Sequence, residues 1–151
     1  MKRREEARLL AAVKHATTDP EQIEKWWNTW PDADVGIATG DGLIVIEVDA
    51  QNGGLESLSD LEAQFGSLPP TQTAAKGDGS RQIYMSVPKG TKLKRKLAPG
   101  CTVKHDGDYV EAPLLPPTHE SESVLSQKGA ALHYAGERGM RVVTLRCIHT
   151  T

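Results

Sequence analysis

Two acids stand two residues apart in Glu47-Val48-Asp49, directly after the apolar run Leu43-Ile44-Val45-Ile46. On an extended strand such residues point to the same face. Two carboxylates so placed, beside the chain break Asn52-Gly53-Gly54, can share a divalent cation. Mg2+ takes hard oxygen donors, usually one or two carboxylates with substrate phosphates completing its shell. A pair of such ions can clamp an in-line phosphoryl transfer. The plainer reading of an acid-x-acid pair is two solvent-facing carboxylates at a sheet edge. The preceding apolar run weighs against it, because charged groups abutting a buried strand need partners.

A second candidate is Lys76-Gly77-Asp78-Gly79-Ser80-Arg81-Gln82. Its glycines let backbone amides approach a phosphate, and Lys76 and Arg81 bring positive charge. Arg81 can grip a phosphate bidentately. An ordinary hairpin turn is the competing reading. A third is the basic run Lys89 to Lys96, with Lys92, Lys94, Arg95 and Lys96 closely spaced. It can follow a nucleic-acid backbone or form a solvated loop. Other chemistries lack their residues. The glycines of Gly36–Gly42 do not sit between a strand and a helix, which excludes a dinucleotide-binding turn. The five histidines show no ligand spacing, Cys101 and Cys147 form no CxxC, and no nucleophile elbow occurs.

A strand must carry the acid pair, and the apolar run over Leu43–Asp49 predicts one buried on both faces. Upstream, Thr18-Asp19-Pro20-Glu21 reads as a capping box opening a helix from Asp19 to Trp30, with Ile23, Trp26, Trp27 and Trp30 as its apolar face. A short charged helix is expected over residues 2 to 15 and a short strand over Val35–Ala38. Leu55, Leu58, Leu61 and Phe65 have helical spacing up to Gly66. A weak strand is expected over Thr71–Ala75. A second, over Gln82–Val87, would have Ile83, Met85 and Val87 on one face and Gln82 and Tyr84 on the other. A further core strand is expected in Tyr109–Ala112 and an edge strand in Arg141–Ile148, with residues 114 to 140 as a loop.

With 151 residues, 38% of them hydrophobic and 25% charged, the chain is long enough for a real core without disulfides. Eighteen Lys and Arg against twenty Asp and Glu give a net charge of −2. That excludes a strongly basic binder but not a local basic patch. No stretch approaches the ~20 apolar residues of a membrane span. No secretory signal opens the chain, so a cytoplasmic, reducing location is expected.

The order of the pieces carries more than any one of them. Ala16-Thr17-Thr18-Asp19-Pro20-Glu21-Gln22-Ile23 is followed by Trp26-Trp27, Gly36-Ile37-Ala38-Thr39-Gly40 and Leu43–Asp49. Then come Pro69-Pro70-Thr71, Gly77–Tyr84 and Gly107-Asp108-Tyr109-Val110-Glu111-Ala112-Pro113. Together these resemble the bifunctional DNA primase/polymerase (Prim-Pol) domain of the archaeo-eukaryotic primase superfamily. The resemblance implies an α+β fold, a two-layer primase-polymerase-like core with a mixed sheet and helices packed on it. It divides the chain into an N-terminal helical extension (1–15), a Prim-Pol-like domain (16–113) and a divergent C-terminal tail (114–151). Only fifteen residues precede Ala16 and the tail after Leu115 does not resemble the family, so a shortened or decayed copy is expected.

The family's first motif, an acid-x-acid pair, matches Glu47 and Asp49, with Glu where Asp is usual. These would be the catalytic and metal-holding residues, for Mg2+ or Mn2+. The second motif, a small residue, any residue and His, matches Ser80-Arg81-Gln82, with Gln82 in place of the histidine. These would contact nucleotide. The third motif, an acid on a later strand, aligns with Thr102. Asp106, Asp108 and Glu111 are the acids near enough in sequence to substitute. The implied activity is metal-dependent nucleotidyl transfer in replication of a plasmid, phage or integrated element. Nucleoside triphosphates, a single-stranded DNA template and a replicative helicase would be its partners, with no membrane involved. Lys92, Lys94, Arg95 and Lys96 are candidates for holding the template strand. The alternative is a catalytically degenerate relative that binds nucleotide or single-stranded nucleic acid, which Gln82 and Thr102 favour.

Overall fold

The computed structural model describes residues 13–69, 71, 73–114 and 125–145. The expected helix over 2 to 15 lies outside the described residues up to residue 12. The chain forms two compact units, one of residues 39–106 and one built from residues 1–38 and 107–151. The elements are α1 (Pro20–Thr29), β1 (Val35–Ala38), β2 (Leu43–Val48), a 3-10 turn (Ala50–Asn52), α2 (Gly54–Phe65), β3 (Thr73–Ala75), β4 (Arg81–Ser86), β5 (Lys96–Ala98), β6 (Cys101–Lys104), β7 (Tyr109–Glu111), α3 (Gln127–Glu137) and β8 (Val142–Thr144).

The unit of residues 39–106 is a five-stranded sheet in the order β3-β4-β2-β6-β5. Every ladder in it is antiparallel, where a mixed sheet was expected. The reason lies in the connections. Short turns join β3 to β4 and β5 to β6, and a short turn can only reverse a strand. The helical crossover from β2 through α2 brings β3 back two places away, and β4 lies between them. The apolar run therefore becomes the central strand. Its Ile44, Ile46 and Val48 join Ile83, Cys101, Val103 and Leu58 of α2 in one buried cluster. Val45, on the opposite face, is also fully buried. At ~25 cal/mol per Å2 of apolar surface, each such side chain contributes about 1.5–3 kcal/mol. This burial fixes the register, because a slip of one residue would turn Glu47 into the core.

The other unit has a three-stranded antiparallel sheet, β7-β1-β8, with α1 and α3 packed together. Its first helix starts one residue later than the sequence suggests. Asp19, not Thr18, is the cap: its carboxylate accepts from the Glu21 N–H at 3.0 Å, and the Thr17 hydroxyl oxygen accepts from the Asp19 N–H at 3.0 Å. Pro20 favours the first helical position, which leaves Asp19 as the capping residue. Ile23 and Trp27 are buried, and the Trp27 indole N–H donates to the Ala33 carbonyl at 3.0 Å.

The segment expected as a loop contains α3. Ser126 caps it by accepting from the Gly129 N–H at 2.9 Å, and Ala130, Ala131, Tyr134 and Ala135 are buried on it. Its inner face is mostly alanine, so it lacks the large apolar residues by which a helix is usually recognised. The Tyr134 hydroxyl donates to the Pro113 carbonyl at 2.8 Å. β8 lies at the sheet edge, as expected for this segment.

Candidate functional site

The chain turns sharply where β2 ends. Asp49 accepts from the Gln51 N–H at 3.0 Å and from the Asn52 side-chain amide, which caps the 3-10 turn. Its own N–H donates to the Gly100 carbonyl at 2.7 Å, and its carbonyl accepts from the Gly54 N–H at 2.8 Å. Only glycine fits at residue 54. A Cβ there would lie 2.6 Å from the Asp49 carbonyl oxygen and 2.7 Å from both Asp49 N and Gly100 O. The β5–β6 turn therefore packs directly on the backbone that carries Asp49.

The glycine-rich turn before β4 is fastened to the same place. The Ser80 hydroxyl oxygen accepts from the Ala50 N–H at 2.9 Å. Asp78 accepts from the Ser80 N–H at 2.9 Å and from the Gln51 side-chain amide at 3.4 Å. The Ser80 N–H, and after it the Ser80 hydroxyl, hold the Asp78 carboxyl below the usual carboxylate range.

The sheet register sets out the remaining residues. Glu47 pairs with Gln82 on one side and Thr102 on the other, and Thr102 pairs in turn with Lys96. Directly paired residues share a face. One cross-strand row thus carries an amide, a carboxylate, a hydroxyl and an ammonium. Gln82 is buried at 3% exposure, Glu47 is half-buried, and Thr102 and Lys96 are exposed. The Tyr84 hydroxyl, two residues along on the same face, donates to the Gln82 side-chain oxygen at 2.9 Å.

Glu47, Asp49, Ser80, Arg81 and Gln82 line a single cleft of about 240 Å3, together with Val48, Gln51, Lys76 and Asp78. All lie in the unit of residues 39–106. The cleft mixes three carboxylates with two cations, and among the described residues neither Lys76 nor Arg81 is committed to an ion pair. Lys92 and Lys94 sit in the loop before β5, Arg95 just precedes that strand, and Lys96 begins it. None of these four lines the cleft. Gln51 lies outside the motifs read from the sequence, and Asp78, inside the glycine turn, had no role assigned; both line the cleft. Asp-Gly in a turn signals an Asx-type bond to the following backbone, which Asp78 makes; Gln51 carries no such signal. No group of three or more His, Cys, Asp or Glu that could hold a metal ion forms among the described residues.

The family model for the bifunctional DNA primase/polymerase N-terminal domain (Prim-Pol) matches residues 3–133. The chain belongs to the Prim-Pol family. Membership implies a primase/polymerase-like function, with nucleotides and DNA as substrates. The match runs past Pro113 and ends within α3. No curated protein and no solved structure matches the chain. In this Prim-Pol chain, Glu47, Gln82 and Thr102, the positions expected to align with the three family motifs, are neighbours in one row. Among the described residues no helix is long and apolar enough to cross a membrane.

Proposed function

We propose that the cleft binds a nucleoside triphosphate with a divalent cation, and that the domain transfers the nucleotide onto a nucleic-acid end during replication of a plasmid, phage or integrated element. One observation carries this reading: the acid pair and the glycine turn with Lys76 and Arg81 line the same cleft. Arg81 would clamp phosphate oxygens bidentately, and Lys76 would meet them as a point charge. Glu47 and Asp49 are hard donors of the number that Mg2+ or Mn2+ takes when phosphates complete the shell. Asp49 already accepts two N–H donors, but a carboxylate has about four lone-pair sites, so the donor set fits one ion shared with the ligand. When bound, the cation would screen the charge that builds on the phosphates. Lys92, Lys94, Arg95 and Lys96 would follow the backbone of single-stranded DNA, and a replicative helicase is the partner such a reaction would serve.

The test is incorporation of labelled nucleotide on primed single-stranded DNA with Mg2+ or Mn2+. Incorporation should be lost in Glu47→Ala and in Asp49→Ala; incorporation that survives both changes removes these residues from the mechanism. Thr102 beside Glu47 supports a second reading, a catalytically silent relative that binds nucleotide or single-stranded nucleic acid. In that case wild type binds triphosphate but incorporates none with either metal.

A further inference from the structure

The Asp49 carboxylate is gripped by both of its oxygens. Oδ1 accepts from the Gln51 N–H at 3.0 Å, and Oδ2 accepts from the side-chain amide of Asn52. The first bond is enough to cap a three-residue turn. The second satisfies no backbone group, since its donor is a side chain. It acts on the carboxylate itself. The torsion that turns an Asp carboxylate is broad and roughly two-fold, so a single bond leaves the group free to rock about the held oxygen. A bond on each oxygen fixes its plane. The Asn52 end is anchored in turn: its backbone N–H donates to the Asp49 carbonyl at 3.2 Å, and Gly53 follows it in the left-handed region at φ 78°. The Gln51 side chain is no substitute, because its amide donates to Asp78 at 3.4 Å. Asp49 is among the residues that line the cleft, and Asn52 is not.

We propose that Asn52 is a positioning residue: its side-chain amide and the Gln51 N–H each hold one oxygen of Asp49, which sets the plane of the carboxylate and presents its remaining lone pairs to a cation in the cleft. The cation half of this inference rests on the proposed function; the hold on Asp49 does not. Asn52 acts through Asp49 without touching the ion. Partners that orient a metal-ligating carboxylate are typically worth 10–100-fold in metal affinity. Asn52 is exposed, so the lower end applies, about tenfold.

Two measurements test it. The first follows the Asn52 side-chain amide by 1H–15N spectroscopy, in the full chain without metal or nucleotide. In Asp49→Ala the two amide protons should shift and exchange faster with water. Unchanged signals overturn the proposal whether or not any cation binds. The second is a double-mutant cycle on the affinity for a non-hydrolysable deoxynucleoside triphosphate with Mn2+. Asn52→Ala should weaken binding about tenfold, Asp49→Ala should weaken it at least as much, and adding Asn52→Ala to Asp49→Ala should change it less than twofold. Equal losses from Asn52→Ala in both backgrounds mean that Asn52 merely supports the turn, and overturn the proposal. A wild type that binds no triphosphate with Mn2+ overturns the proposed function and the cation half with it, and the amide signals still decide the hold on Asp49.

Discussion

Replacing Gly54 with alanine isolates the packing that holds Asp49. The new Cβ would sit 2.6, 2.7 and 2.7 Å from Asp49 O, Asp49 N and Gly100 O, all backbone atoms. Ordinary contact begins about 0.7 Å further out, and no side-chain rotation can relieve the overlap. Either the β5–β6 turn or the Asp49 turn must move, which breaks the bonds from Asp49 N–H to Gly100 O and from Gly54 N–H to Asp49 O. Overpacking of this kind costs about 1–3 kcal/mol, and each lost bond adds about 1 kcal/mol. Alanine's better helix propensity returns at most ~1 kcal/mol at the start of α2. The net expectation is a loss of about 2–4 kcal/mol, or a fall in Tm of roughly 4–16 °C for a chain of this size. The Cys101 thiol, buried with its Sγ donating to Gly54 O at 3.4 Å, gives a second readout. Burial pushes its pKa up, so it should resist alkylation in wild type and react faster in Gly54→Ala. Gly136→Ala is the control. It lies in α3 with nothing within 4 Å of the new Cβ, so the same change should stabilise by about 0.5–1 kcal/mol. A Gly54→Ala protein as stable as wild type, with Cys101 still slow to alkylate, would refute the reasoning.

Other consequences follow from the same geometry. Gln82 carries no proton in the working range, whereas a histidine titrates near or below pH 6.5 when buried. In Gln82→His the triphosphate affinity, taken relative to wild type at each pH, should rise as pH falls through that range; a flat ratio from pH 5 to 8 contradicts a ligand phosphate near residue 82. Burial pushes the Tyr134 hydroxyl up to about 12, against an ordinary value near 10. The neutral phenol is thus favoured in the fold. Its contribution is fully present below pH 10 and is lost as pH rises from 10 to 12, so denaturant midpoints should fall over that interval and fall less in Tyr134→Phe. Alanine at Lys92, Lys94, Arg95 and Lys96 should weaken single-stranded DNA binding and flatten its slope against log salt by roughly 0.7 per contact removed. An unchanged slope places the DNA elsewhere.

The parts of the fold legible in the sequence are those with large apolar residues in a clear period. The run Leu43–Ile46 marked the central strand, and Leu55 and Leu58 marked the helix over it, because burial of such residues dominates both elements. The alternation in Ile83, Tyr84 and Met85 marked β4. α3 was hidden because its inner face is alanine with Gly129 and Gly136 in the same helix, so its helical character rests on propensity and on the Ser126 cap instead of hydropathy. The antiparallel order was hidden as well, since β4 inserts between β2 and β3 and no local residue encodes that insertion.

Within the cleft, Glu47 and Asp49 were readable from strand spacing, and Lys76, Ser80 and Arg81 from turn composition. Gln51 was not, because it enters through the tertiary contact between the 3-10 turn and the Asp78 carboxylate. The partnership of Tyr84 with Gln82 needed the i, i+2 face assignment together with the bond between them. An alternating pattern supplies only the first of these.

The central claim is that the acid pair and the basic glycine turn form one site for a triphosphate and its cation. Titration of a non-hydrolysable deoxynucleoside triphosphate in the presence of Mn2+, followed by calorimetry on wild type, Asp49→Ala and Arg81→Ala, tests it most directly. Saturable binding in wild type, weakened about tenfold or more in each variant, is the predicted result for loss of a charged contact. Binding that is equally tight in all three proteins, or no binding to wild type, contradicts it.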